Sequence, residues 1–210
     1  MTRILVVRHG EAEGNRKHRF IGQSDVPLTD HGRAQVAALT ERLSTLGITR
    51  VVSSDLQRAA DTVSPTAAAL GIEVEHDKRW REIANGEWAN LLAADVEERF
   101  PDLWARYRAG EDIDRPGGEC WGDVQVRAVE AIEELLDGLD DDDTALVGTH
   151  AGPALGILRW AIGLPPVGSV WRGPFGQLHN TSISTISAPG PRLHTVNDTG
   201  HLGTPEGLFV

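Results

Sequence analysis

Residues 1–16 read MTRILVVRHGEAEGNR, and the reading of this stretch decides the rest. Ile4-Leu5-Val6-Val7 is an unbroken apolar run, the pattern of a strand buried on both faces. It stops abruptly on a cation and an imidazole, Arg8 and His9, with Gly10 and then Asn15 beyond. A strand made for burial ends on such groups for a reason if its end opens into a site. Open α/β sheets bind ligands beyond the carboxyl ends of their strands.

The same arrangement recurs twice. Residues 50–53, RVVS, form a second short strand that leads into SSDLQRAADT. There, Ser54 followed by Gln57 predicts a capping box, and the first helical turn carries Arg58. Residues 144–149, TALVGT, predict a late strand that delivers His150. If these strands run parallel, Arg8, His9, Arg58 and His150 converge on one edge, and that edge is an anion site. Each group alone has a bland explanation. A histidine at a strand end is more often structural than reactive, and Arg8 alone is an edge charge. Arg58 is the odd one, since a helix N-terminus favours acidic side chains over basic ones.

Between these points, strand-like runs alternate with helical patterns, which predicts an α/β protein with a mostly parallel central sheet covered by helices on both faces, a three-layer sandwich. Residues 11–28 read as a loop. Thr29 caps a helix carrying Val36, Leu39, Leu43 and Leu46, stopped by Gly47. Pro65 should kink or restart the helix after Ser54. A third strand is expected over 72–75, helices over 91–110 (broken near Pro101), 123–139 and 153–163, and closing strands over 182–187 and 193–196. The acidic run 140–143 reads as a solvated turn. With no repeat and no linker, residues 1–210 form one domain.

The totals exclude some partners. The 210 residues carry a formal net charge of -11, so nucleic acid and anionic membrane surfaces are not expected partners. A small anion is not excluded, because charges screen one another over about 8 Å at physiological salt. A lone cysteine, Cys120, rules out a disulfide framework and makes a reducing, cytoplasmic setting the expectation. No H-E-x-x-H or similar ligand spacing is present, so no metal is expected. Lys17 and Lys78 are the only lysines, so being arginine is in itself no sign of function.

RHGEAEGNR, SSDLQRAADT, WREIANGEW and GTHAG occur in this order, with PGGEC between the last two. In these motifs the chain resembles the histidine phosphatase superfamily, in its phosphoglycerate mutase-like branch. The resemblance implies a phosphohistidine intermediate with His9 as nucleophile. It implies phosphate binding by Arg8, Arg58, His150 and Asn15, proton donation by Glu82, and no metal or organic cofactor. Residues 86–121 become a substrate-facing insertion whose tryptophans, Trp88, Trp104 and Trp121, form either an apolar wall or a small core. The sequence departs from the family pattern at Ala151, where glycine is usual, and at Cys120, where serine is common.

Those residue types suit phosphoryl transfer. A neutral imidazole attacks phosphorus through one nitrogen while the other holds a hydrogen bond. Two arginines disfavour the imidazolium and pair with phosphoryl oxygens. A protonated carboxyl serves the leaving alkoxide. The expected activity is that of a phosphatase acting on small-molecule phosphate monoesters. The alternatives are a mutase that returns the phosphoryl group to its substrate, and a non-catalytic module that only binds phospholigands. The expected partner is a small phosphorylated substrate, and a homodimer stays open. For Glu82 the bland alternative is a salt bridge to Arg79 or Arg81.

Overall fold

The computed structural model describes residues 1–14, 19–166 and 173–203. Six strands form one sheet: β1 (Arg3–Arg8), β2 (Arg50–Ser53), β3 (Val74–His76), β4 (Thr144–Thr149), β5 (Ile183–Ser187) and β6 (Arg192–Asp198). Their spatial order is β3-β2-β4-β1-β5-β6, and only β5 runs against the others. The helices are α1 (Asp30–Leu43), α2 (Gln57–Leu70), α3 (Ala93–Arg99), α4 (Pro101–Ala109), α5 (Trp121–Asp137) and α6 (Ala151–Ala161). No helix among the described residues is long and apolar enough to cross a membrane.

The apolar run that opens the chain is explained by the layers. Side chains alternate across a strand, so Ile4 and Val6 enter one core with α5 and α6, through Ile132, Leu155 and Leu158. Leu5 and Val7 enter the other, with Leu39 and Leu43 of α1 and Val63 of α2. Each such side chain contributes roughly 1.5–3 kcal/mol by leaving water. The central strand therefore has no polar face to offer until it ends.

Register then places the site. β1 and β4 pair in parallel with Arg8 opposite Thr149. The next residues, His9 and His150, therefore leave the sheet side by side. A backbone bond from His9 N–H to the Thr149 carbonyl, 2.9 Å, locks this level. β2 lies on the other side of β4, with Ser53 opposite Gly148, so Ser54 and the start of α2 reach the same edge.

Two local expectations fail for physical reasons. Ser54 does not cap α2: the cap position is Leu56, with no side-chain bond, because the Ser54 hydroxyl faces His150 instead. Pro65 does not break α2, which runs unbroken from Gln57 to Leu70. The proline is exposed, while the opposite face, with Ala59, Val63 and Ala67, is held in the core. Tertiary packing outweighs one missing helix bond. α1 ends at Leu43, three residues before Leu46; elsewhere the shifts are of one or two residues, and the break at Pro101 separates α3 from α4. Thr29 caps α1 as expected, accepting from the Gly32 N–H at 2.9 Å.

Candidate active site

At the carboxyl edge of the sheet lies a cavity of about 260 Å³, with Arg8, His9, Arg58 and Glu82 in its wall. Four of the residues singled out in the sequence thus meet at one hollow. His150 is fully buried just behind this wall, its ring 5.1 Å from that of His9 and tilted by 60°. Asn15 lies outside the described residues.

His9 is held by its neighbour. Its Nδ1 stands 2.7 Å from the Gly10 carbonyl oxygen. A carbonyl only accepts, so the ring proton sits on Nδ1 and Nε2 keeps its lone pair. Burial, with the charges of Arg58 and Arg8, holds the pKa well below the ordinary histidine value. The ring is therefore uncharged at neutral pH. A side chain at Gly10 would press on the Gly32 carbonyl at 3.0 Å, so its bareness lets β1 end against α1.

The two arginines are anchored by backbone carbonyls rather than by carboxylates. Arg8 donates through Nη1 to the Leu178 carbonyl, and its buried Nε has no partner among the described residues. Burial pulls its pKa down to about 10, with Glu82 opposing and Arg58 reinforcing the shift. Arg58, in the first turn of α2, donates to Ser24 at 2.9 Å and Gly22 at 2.7 Å. Its unfavourable position on the helix dipole is thereby explained. It is directed into the cavity wall, where it also holds the 22–24 loop.

His150 uses Nε2 toward the Ser54 hydroxyl at 2.9 Å, and that oxygen also accepts the Leu56 N–H. Its buried Nδ1 has no partner among the described residues. Burial, then Arg58, His9, Arg127 and Arg8, depress its pKa as well.

Glu82 is not in the salt bridge that sequence allows. Arg79 pairs with Asp77 and Glu134, and Arg81 with Asp55. The Glu82 carboxylate accepts instead from the Ile83 N–H at 2.9 Å and from the Gly152 N–H at 3.3 Å. The second donor belongs to the first turn of α6, whose dipole favours a negative charge. A carboxylate in the wall, with no arginine paired to it among the described residues, is available for proton traffic.

One wall residue was not foreseen. Arg115 lines the cavity, 2% exposed, stacked over Trp121 at 5.0 Å, Trp88 at 5.6 Å and Tyr107 at 5.8 Å. Its buried Nε has no partner among the described residues, and its Nη1 donates to the Glu119 carbonyl at 3.1 Å. Burial lowers its pKa. In the sequence it looks like one arginine among many in a turn, and only the rings packed on it distinguish it. The three tryptophans divide: Trp121 lines the cavity, whereas Trp88 and Trp104 build a small core with Val96 and Ile113. Neither His179 nor His201 lines the cavity. Asp114, Cys120 and Asp123 bring three ligand-type atoms within 4.8 Å of one another, but none lines it either.

Comparison with known proteins places the fold among relatives. The sequence profile of the histidine phosphatase superfamily (branch 1) matches residues 4–199. A probable phosphoglycerate mutase, GpmB, of Citrobacter koseri is 36% identical over 98% of this chain and 97% of its own length. A bifunctional protein of Mycobacterium tuberculosis is 35% identical, over 96% of this chain and 55% of its own length. Among solved structures, a mycobacterial glucosyl-3-phosphoglycerate phosphatase superposes with a TM-score of 0.81 at 28% identity, covering 93% of this chain and 98% of its own. YhfR of Bacillus stearothermophilus superposes with a TM-score of 0.85 at 27% identity, covering 96% and 100%.

Proposed function

We propose that this chain, which belongs to the histidine phosphatase superfamily, hydrolyses small phosphate monoesters through a phosphohistidine on His9. The observation that carries the reading is the Nδ1 bond of His9 to the Gly10 carbonyl, 2.7 Å, beside two buried arginines. It supplies an oriented, uncharged nucleophile next to fixed positive charge.

The Nε2 lone pair attacks phosphorus in line with the ester oxygen. As the N–P bond forms, the P–O bond breaks and its electron pair leaves on the alkoxide. Glu82, protonated beside the bound dianion, gives that oxygen its proton. Arg8 and Arg58 stabilise the phosphoryl oxygens, with His150 donating from Nδ1 while Ser54 holds its Nε2. Water then attacks phosphorus, Glu82 takes a proton from it, and the N–P bond breaks to release phosphate. Neutral His9 is restored, and the sum is ester plus water giving alcohol plus phosphate. Dividing one difficult displacement in two is the advantage of the covalent route.

The alcohol side of the cavity favours a second anion. With the proton on Glu82, the buried Arg8, Arg58 and Arg115 hold three positive charges, one more than a phosphoryl dianion offsets. Arg115 stands for a carboxylate on the alcohol, which a guanidinium binds with two parallel bonds. The volume lies below the roughly 300–1,000 Å³ typical of sites for drug-sized ligands, which favours a small metabolite. Two relatives whose names contain phosphoglycerate fit the same chemistry.

A mutase is the second reading, favoured by the name of the Citrobacter relative. The segment between Trp88 and Gly122 is short for holding a phosphoenzyme away from water, which supports hydrolysis. Two experiments decide. Phosphate release from p-nitrophenyl phosphate should be lost in His9→Ala; retained release would remove His9 as the nucleophile, and no release from the unaltered protein would leave only a binding module. With 3-phosphoglycerate and a bisphosphoglycerate primer, phosphate release should outpace isomerisation, and the reverse order makes the protein a mutase.

A further inference from the structure

Arg8, His9, Arg58 and His150 all sit at the ends of regular elements, which fixes their positions. Glu82 does not. It lies on irregular chain between two single helical turns, Lys78–Trp80 and Gly86–Trp88. Groups on loops are placed less accurately than groups on helices or strands unless something outside holds them.

Arg127, on α5, and Glu119, just before it, form a two-pronged ion pair. Nε donates to Oε1 at 2.8 Å and Nη2 to Oε2 at 3.0 Å. Neither side chain lines the cavity. The rest of the pair's bonding goes to the backbone around Glu82. Arg127 Nη1 donates to the Arg79 carbonyl at 2.7 Å and the Arg81 carbonyl at 2.6 Å, and Nη2 to that of Glu82 at 3.1 Å. All five guanidinium N–H groups are thereby committed. Glu119 Oε2 accepts the Ala84 N–H at 2.7 Å, and the Glu119 N–H donates to the Ala84 carbonyl at 2.9 Å. The segment is thus gripped on both sides of Glu82.

We propose that Glu119 and Arg127 are positioning residues for Glu82, holding its backbone so that the carboxyl stays within reach of the leaving oxygen. The inference rests on the proton-donor reading of Glu82 above. A pair placed only for stability would have no cause to direct every remaining donor at this one segment. A misplacement of about 1 Å can cost 10²-fold in rate, so the hold has a kinetic signature.

That signature is dependence on the leaving group. Glycerol 3-phosphate needs a proton on its alkoxide, whereas p-nitrophenolate leaves without one. Arg127→Lys keeps the charge but cannot make the five bonds. Glu119→Asp keeps the carboxylate but shortens its reach, so a folding defect in one variant does not end the test. Each should lower kcat/KM, which reports P–O cleavage and not the shared hydrolysis of the phosphohistidine, at least tenfold more on glycerol 3-phosphate than on p-nitrophenyl phosphate. In a Glu82→Gln background the same substitutions should add no further selective loss, because non-additivity marks residues acting through one another. Equal losses on both substrates, or full additivity with Glu82→Gln, overturn the inference and leave Glu82 as the donor. If Glu82→Gln alone shows no leaving-group dependence, the donor reading fails and takes this inference with it.

Discussion

Gly152 and Glu82 occupy one small volume: a methyl group built on the glycine would stand 2.3 Å from the Glu82 carboxylate and 2.5 Å from the Trp121 ring. The carboxylate is the far end of a flexible side chain and yields. The ring, 4% exposed and packed in the core, does not. Gly152→Ala should therefore displace Glu82 and, by pressing on the ring, lower the Tm as well. Its kcat on glycerol 3-phosphate should fall at least about tenfold, within the 10²–10⁴ that general acid catalysis supplies. Steady-state kinetics beside a thermal melt check this, and an unchanged kcat would mean that Glu82 does not act from this position.

Arg58→Ala has two consequences that separate experimentally. Removing one fixed donor to the phosphoryl oxygens should lower kcat/KM by about 10²–10³. The buried carbonyl of Gly22 and the part-buried one of Ser24 also lose their donor, at about 1–3 kcal/mol for the buried group and less for the other. A lower Tm with kcat/KM down less than tenfold would confine Arg58 to holding the loop.

Arg115→Met keeps the length of the side chain and removes its charge. The kcat/KM preference for 3-phosphoglycerate over glycerol 3-phosphate should drop by about 10–100-fold, the equivalent of a charged hydrogen bond of roughly 1.5–3 kcal/mol. A loss shared equally by the two substrates would reduce Arg115 to a support for the rings around it.

His9 and His150 both titrate below the ordinary histidine value, for burial first and neighbouring cations second. Below about pH 6.5 the unfolded chain binds protons on these rings that the folded chain does not. Stability is therefore complete above that pH and declines as the pH falls through it, by up to about 1.4 kcal/mol per pH unit for each ring. Urea unfolding from pH 7.5 to 5.5 measures the slope. His150→Gln should reduce it by about one proton's worth, and an unaltered slope would mean that the ring is already charged in the fold.

Much of this was legible in the chain. An apolar run with no alternation announces a strand covered on both faces, and parallel strands deliver their C-terminal residues to one edge. Arg8, His9, Arg58 and His150 could be brought together on that logic. What escaped was whatever depends on backbone carbonyls. Arg127 and Glu119 act on the main chain around Glu82, and a main-chain acceptor leaves no mark in a sequence. Ser54 was misread because a hydroxyl before a helix is normally its cap, whereas here a histidine from another strand competes for it. Arg115 escaped because its neighbours Trp88, Tyr107 and Trp121 are spread over more than thirty positions of chain.

The small core of Trp88, Val96 and Ile113, with Phe20 packed on it, stands apart from the two cores on the sheet. A protein built this way can be re-tailored as a garment is, by changing one panel. Residues 86–121 taken from a relative, with Glu119 kept and Phe20 matched to the new filling, give graft chimaeras that test whether the alcohol preference changes hands while the phosphorus chemistry is inherited.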